Sequence, residues 1–207
     1  MSDKKLIAIL VRHGDTDIND ANQFRSRLDP PLNEEGIQQA ESLAKAMVES
    51  GTKVERIIAG PLLRTVQTAD IIAEQYGLDV QQDRGLISWA LGFMTGKDKD
   101  EYAELLSYYI DNPKSVPPQG ESLDDLEQRT FEFFSKELKK DVLTVFITHN
   151  SNCVTVEGQI KGDRIGRPES GEATVGPGGA IGVFVDGEGK FSTEVLFGVE
   201  KQAQYGS

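Results

Sequence analysis

Two runs constrain this chain more than any other feature: the continuous apolar run 6–11 (Leu-Ile-Ala-Ile-Leu-Val) and the mostly apolar run 142–148 (Val-Leu-Thr-Val-Phe-Ile-Thr). A strand with one wet face alternates apolar and polar residues. A strand apolar on both faces must be covered by helices on both sides, as in a parallel sheet. Each run ends in a short polar stretch that carries one of the chain's two histidines, His13 after the first and His149 after the second. The end of a buried strand is where an α/β protein places its chemistry. Imidazole is the side chain best suited to nucleophilic and proton-transfer work near neutral pH.

The intervening sequence supplies the covering helices. Residues 34–50 place Ile37, Ala40, Ala44, Met47 and Val48 at helical spacing. Residues 55–59 read as another short strand. Gly60-Pro61 then turns the chain, and Pro61 suits the first turn of a helix running to about Gly77. The stretch 85–120, broken by Gly92, Gly96, Pro113, Pro117 and Pro118, is expected as an insertion over the site with one helix near 98–110. Ser122 and Asp125 have capping-box spacing for a helix to about Lys140. A further helix is expected over 150–160 and a glycine-rich loop over 162–179. Strands 180–185 and 191–197 flank Asp186-Gly187-Glu188-Gly189, which has turn chemistry. Strands alternating with helices predict a three-layer α/β/α sandwich with a mainly parallel central sheet, as one domain over residues 1–207.

Composition narrows the partners. The net charge is −12, whereas nucleic-acid binders show basic patches, so nucleic acid is disfavoured. There is no run of 18 apolar residues to cross a membrane. The first residues lead straight into a strand without a long apolar leader, and the one cysteine fits a reducing compartment, so a cytoplasmic location is expected. Cys153 itself reads as a small core residue.

Against that acidic background the position of each arginine is informative. Arg12 precedes His13, and an arginine fork binds phosphate oxygens two at a time. Gly14 lets the backbone approach an anion without a Cβ in the way. Arg64 falls at the start of a predicted helix, where a cation is locally unfavourable and a bound phosphate would give it a reason to be there. Arg25 and Arg27 flank Ser26 in the loop after the first histidine; they read as a solvated loop, and facing the site they would attract a second anionic group.

These segments resemble the histidine phosphatase superfamily, which includes the phosphoglycerate mutases. Arg12-His13-Gly14-Asp15-Thr16 with Asn19 is similar to its first histidine signature. Asp29-Pro30-Pro31-Leu32-Asn33 through Gly36 to Gln39-Ala40 resembles a second segment. Pro61 to Ala69, Gly120-Glu121-Ser122 with Arg129, and His149 followed by Asn150 in place of the usual glycine resemble three more, all in the family's order. The resemblance implies a phosphoglycerate mutase-like fold and a metal-independent phosphatase. His13 would accept the phosphoryl group as a phosphohistidine and pass it to water. Arg12, Arg64 and His149 would hold the phosphoryl oxygens, with Asn19 and Asn150 adding contacts. No cofactor or metal is implied, and the substrate would be a small-molecule or protein-borne phosphate.

One position departs from the pattern. The family supplies a glutamate to protonate the leaving group, and here Ser88 stands in its place. Three readings remain open. The substrate has a good leaving group, such as a phosphohistidine, an acyl phosphate or an aryl phosphate. Alternatively another carboxylate donates the proton, Asp15 first, with Glu121, Asp98 or Asp100 behind it. In the third reading the chain is a degenerate member that binds phosphate without chemistry. Gly92, Thr95 and Gly96 fit the mutase version of this segment, so a phosphoglycerate mutase is the remaining alternative.

Overall fold

The computed structural model describes residues 4–138, 141–162 and 175–198. The described elements are β1 (Lys5–Arg12), α1 (Asp17–Asp20), α2 (Glu34–Glu49), β2 (Arg56–Ala59), α3 (Leu63–Tyr76), β3 (Val80–Gln82), α4 (Ala103–Asp111), α5 (Leu123–Glu137), β4 (Thr144–Thr148), α6 (Asn150–Lys161), β5 (Ala180–Val185) and β6 (Phe191–Phe197). The strands form one sheet in the order β3-β2-β4-β1-β5-β6. β3, β2, β4 and β1 run parallel, while β5 and β6 add an antiparallel edge.

The two apolar runs are buried on both faces for the reason their composition gives. Ile9, Val11, Val145 and Ile147 face one layer with Leu43, Ala44 and Met47 of α2 and Ala69 and Ile72 of α3. Ala8, Leu10 and Phe146 face the other, against Phe133 and Phe134 of α5 and Cys153 and Val156 of α6. The period of two along each strand thus divides one apolar run between two cores. A third cluster lies apart from the sheet, where Phe24, Trp89, Leu91, Met94 and Tyr109 pack on Leu123 and Leu126 of α5. It gives the irregular stretch 85–120 a core of its own.

The sandwich and its mainly parallel sheet match the sequence reading, and several details differ, among them the unforeseen four-residue α1. Pro61 lies outside the helix, and α3 begins at Leu63. The helix expected near 98–110 is α4, Ala103–Asp111. β3 was not foreseen; it is three residues, mostly exposed, and too short for periodicity to register. Most of the loop expected over 162–179 lies outside the described residues. Among the described residues no helix is long and apolar enough to cross a membrane.

Candidate active site

β1 and β4 are adjacent and parallel, with Arg12 paired in register to Thr148. One residue further on, the His13 N–H donates to the Thr148 carbonyl at 3.1 Å. Strand pairing therefore sets the two histidines side by side, their ring centroids 5.2 Å apart at 63°. Both are buried, at 1% and 3% exposure. This crevice at the carboxyl ends of neighbouring strands, where connections leave in opposite directions along the sheet, is the usual site position in an open α/β fold.

The partners of each ring fix its tautomer. His13 Nδ1 lies 2.7 Å from the Gly14 carbonyl oxygen, which can only accept, so Nδ1 carries the proton. His13 Nε2 then presents its lone pair, and Arg64 Nε donates to it at 3.2 Å. Arg64 Nη2 donates to His149 Nδ1 at 3.2 Å, which leaves the proton of His149 on Nε2. That buried nitrogen has no hydrogen-bond partner among the described residues. Both histidines are held well below their ordinary pKa. Burial is the main cause for each; after it come His149, Arg25, Arg64 and Arg12 for His13, and Arg64, Arg25, Arg129 and Arg12 for His149. The site thus holds two neutral imidazoles among guanidinium groups.

Arg64 is itself held firmly. Its Nη1 donates to the Leu28 carbonyl at 2.6 Å and its Nη2 to the Ser26 carbonyl at 3.0 Å. A cation at the start of α3 is tolerated because Asp29 Oδ1 accepts the Leu63 N–H at 2.6 Å and caps the helix from the facing loop. The same carboxylate opposes the fall in the Arg64 pKa, which burial pushes to about 10. Arg12 Nη1 donates to Asn150 Oδ1 at 3.3 Å and to the Val175 carbonyl at 3.1 Å.

The loop between β1 and α2 is clamped from below. The Gly14 N–H donates to Thr68 Oγ1 of α3 at 3.2 Å. A Cβ on Gly14 would collide with the Gly36 carbonyl oxygen, and one on Gly36 with the Asp15 carbonyl oxygen, so both close approaches require glycine. Gln39 binds both the N–H and the carboxylate of Asp15, at 2.9 Å each. Gln67 Oε1 accepts the Leu32 N–H at 2.8 Å.

Around the histidines opens a cleft of about 260 Å³. His13, Arg25, Arg64, Ser88, His149 and Asn150 line it, and no aspartate or glutamate is among its described lining residues. The structure therefore brings together His13, Arg64, His149 and Asn150 in the cleft, with Arg12 bonded to Asn150 beside it. It places Asp15 against Gln39 and outside the lining. Glu121 is engaged by Arg27 at 2.9 Å and Arg129 at 2.8 Å, and its Oε1 also accepts the Ala90 N–H. Asp98 accepts from the N–H groups of Asp100 and Glu101, and Asp100 accepts from Asn22, all at the exposed surface. Asn19 falls in α1, and its side chain lies outside the described part of the structure.

The solvated-loop reading of Arg25 and Arg27 is corrected for Arg25, which lines the cleft. Burial, then Arg12 and Arg64, push its pKa down to about 9, while Asp15 pulls it upward. Arg27 turns away to the Ser88 carbonyl and Glu121. Sequence reasoning offered a site-facing Arg25 only as the alternative to a solvated loop, because a loop arginine carries no periodic signal. Its clustering with Arg12 and Arg64 on an acidic chain was the only available cue. Cys153 is buried in the core as expected, its thiol pushed up to about 12 mainly by burial. Among the described residues no three His, Cys, Asp or Glu are grouped to hold a metal ion.

This arrangement of paired histidines and arginines at the ends of neighbouring parallel strands defines a class: the chain belongs to the histidine phosphatase superfamily (branch 1), whose family model matches residues 8–155. Relatives include a 2,3-bisphosphoglycerate-dependent phosphoglycerate mutase of Thermoplasma acidophilum, 32% identical over 146 residues, covering 70% of each chain. A probable phosphoglycerate mutase of Proteus mirabilis is 34% identical over 125 residues, 58% of this chain and 57% of that one. Among solved structures, Bacillus stearothermophilus YhfR superposes with a TM-score of 0.79 at 25% identity, covering 93% of this chain and 96% of that one. A mycobacterial glucosyl-3-phosphoglycerate phosphatase shares the fold with a TM-score of 0.78 at 20% identity, covering 94% and 100%.

Proposed function

We propose that the protein is a phosphatase that transfers a phosphoryl group to His13 Nε2 and then to water. The observation that carries this reading is the neutral His13, its Nε2 lone pair presented beside Arg64 and the unpartnered N–H of buried His149. In the first step the Nε2 lone pair attacks phosphorus. The phosphorus–oxygen ester bond breaks, and the leaving oxygen departs with the electron pair. Arg64 exchanges its bond to Nε2 for one to a phosphoryl oxygen. His149 Nε2–H, Arg12 and Arg25 surround the charge spread over the remaining oxygens, as phosphoryl transfer demands. In the second step water attacks phosphorus and the phosphorus–nitrogen bond breaks. Its electron pair returns to Nε2, and the proton released by water passes to the departed anion or to solvent. Positive charge comes from the guanidinium groups, so neither step calls on a metal ion or cofactor.

The mutase relatives raise a second reading, transfer between two hydroxyl groups of one substrate. Each half of that reaction expels an alkoxide, and the described lining of the cleft offers no carboxylate to protonate it. The test is His13→Ala assayed on p-nitrophenyl phosphate, with the unaltered protein quenched to trap an acid-labile phosphorylated histidine. Activity is expected to fall by about 10³-fold or more, as when a nucleophile is removed. Undiminished turnover, or tight phosphate binding with no turnover in the unaltered protein, overturns the reading.

A further inference from the structure

The cleft is chemically two-sided. Besides the histidines and arginines, its lining includes the apolar side chains of Phe24, Trp89, Leu91, Ile110, Leu123 and Leu126, together with the polar Gln23, Ser88, Lys99 and Ser151. The apolar wall is a built feature. Trp89 Nε1 donates to the Glu121 carbonyl at 3.0 Å, and the Ala90 N–H donates to the Glu121 carboxylate at 3.1 Å. Ser26 is one of its links to the phosphoryl side, beside the Trp89 N–H bond to Ser151 Oγ at 3.4 Å. Ser26 accepts Arg64 on its carbonyl, donates from Oγ to the Trp89 carbonyl, and accepts the Leu91 N–H on Oγ, each near 3 Å. Ser26 adopts a positive φ of 46°, a conformation that such a residue keeps only when its surroundings hold it there. The apolar wall is thus fixed at one residue's remove from the guanidinium group that bonds to both histidines.

Resting on the phosphatase reading above, we infer that the substrate is a small phosphate monoester of an aromatic, phenol-type alcohol. Its ring packs on the Trp89–Leu91 wall, and it leaves as the unprotonated aryloxide. The two features select together. Six aromatic and aliphatic side chains in the lining reward apolar surface on the leaving group. A lining without a carboxylate withholds the proton that an alkoxide needs, whereas a phenoxide departs without one. The cleft, about 260 Å³, lies at the small end of the range for small-molecule sites. The bond changes are those of the first step above, with the electron pair of the broken bond kept by the aryl oxygen.

The experiment compares kcat/KM and KM for 2-naphthyl, phenyl and acetyl phosphates and for glycerol 3-phosphate, with the unaltered protein. Phenyl phosphate is expected to exceed glycerol 3-phosphate in kcat/KM by about 10²-fold or more, the usual worth of general acid catalysis. The naphthyl ester should exceed the phenyl ester by about tenfold at similar leaving-group acidity, since small increments of apolar surface in a pocket carry factors of this size. Acetyl phosphate, an acyl anhydride, has the better leaving group but no ring, so its KM should be the highest of the three activated phosphates. Equal KM values across those three, or glycerol 3-phosphate matching phenyl phosphate, overturns the inference while leaving the phosphatase reading intact. Turnover of none of the four overturns both. A second arm uses Ser88→Glu. Restoring an acid should raise glycerol 3-phosphate hydrolysis by about 10²-fold and change phenyl phosphate far less. A parallel rise in both would mean that the missing proton is not what selects the substrate.

Discussion

The two sides of the cleft are built from different parts of the fold. The histidine side comes from strand ends and the first turn of α3, and its groups are already bonded to one another before a ligand arrives. His13 Nδ1 is committed to Gly14, Arg64 spans both rings, and Asp29 caps the helix that carries Arg64. The opposite side comes from the loop around Phe24, the irregular stretch 85–120 and the start of α5, packed as a separate apolar cluster. Charge-stabilising groups act only if they need not reorganise during reaction, so they sit on the most rigid elements. Substrate choice can be revised without disturbing the sheet, so it sits on loops. The comparison predicts that changes on the first side act on kcat and changes on the second act on KM.

Arg64→Lys should break this division most severely on the first side. A lysine supplies one charge but cannot reproduce four bonds in fixed directions to His13, His149, Leu28 and Ser26. The loss expected is about 10²–10³-fold in kcat, the worth of a preorganised oxyanion donor. Steady-state kinetics on an aryl phosphate checks it. A variant impaired in KM alone would show that Arg64 binds the ground state and does not favour the transition state.

Acidification separates the two sides by stability. His13 and His149 both have lowered pKa values in the folded state, because burial and then neighbouring positive charges oppose protonation. The unfolded chain takes up protons as pH falls through the ordinary value near 6.5 while the folded chain does not. Stability from these two groups is therefore fully present above that value and is lost as pH falls below it, by up to about 2.7 kcal/mol per pH unit for two protons. Urea unfolding between pH 7.5 and 5 should show this slope, and His149→Gln should reduce it by about half. A flat profile would place charged imidazoles in the folded protein. The apolar wall has no part in this dependence.

How much of this was legible in the sequence follows the same division. His13 and His149 stood out because an apolar run ending in a histidine is a local pattern, and Arg64 because a cation at a helix start breaks a local rule. The capping box at Ser122 and Asp125 was equally local, and both of its bonds are present. Ser26, Arg25 and Glu121 owe their positions to contacts across tens of residues, such as the Ser26 bonds to Trp89 and Leu91. No spacing rule reports these. Asp15 is adjacent to the first histidine signature in sequence, yet Gln39 of α2 holds it outside the cleft lining. Neighbourhood in sequence put Asp15 first among the candidate donors, and it does not report the Gln39 contact that holds its carboxylate.

Arg25 tests whether the loop contributes to the histidine side as well as to the wall. Its charge depresses the pKa of both histidines and lines the cleft. Arg25→Ala should lower kcat/KM for a phosphate dianion by about tenfold, the scale of one charge-assisted contact. The sensitivity of activity to added salt should fall with it, because one screened attraction is gone. Unchanged salt dependence would mean that Arg25 only supports the loop.

The smallest effect is the sharpest test of separability. Ser122 caps α5, whose first turn supplies Leu123 and Leu126 to the wall. Its Oγ accepts the Asp125 N–H at 3.1 Å, and the Asp125 carboxylate returns a bond to the Ser122 N–H at 3.2 Å. Ser122→Ala should cost about 1 kcal/mol of stability, the usual worth of an N-cap. Loosening that turn shifts the wall and leaves β1, β4 and α3 untouched. KM for a naphthyl phosphate should therefore rise about two- to threefold, a few tenths of a kcal/mol to somewhat more on the affinity scale. The inhibition constant for inorganic phosphate, which occupies only the histidine side, should stay the same. If both constants move together, the two sides are mechanically one site, and the division between chemistry on strand ends and selection on loops does not hold for this protein.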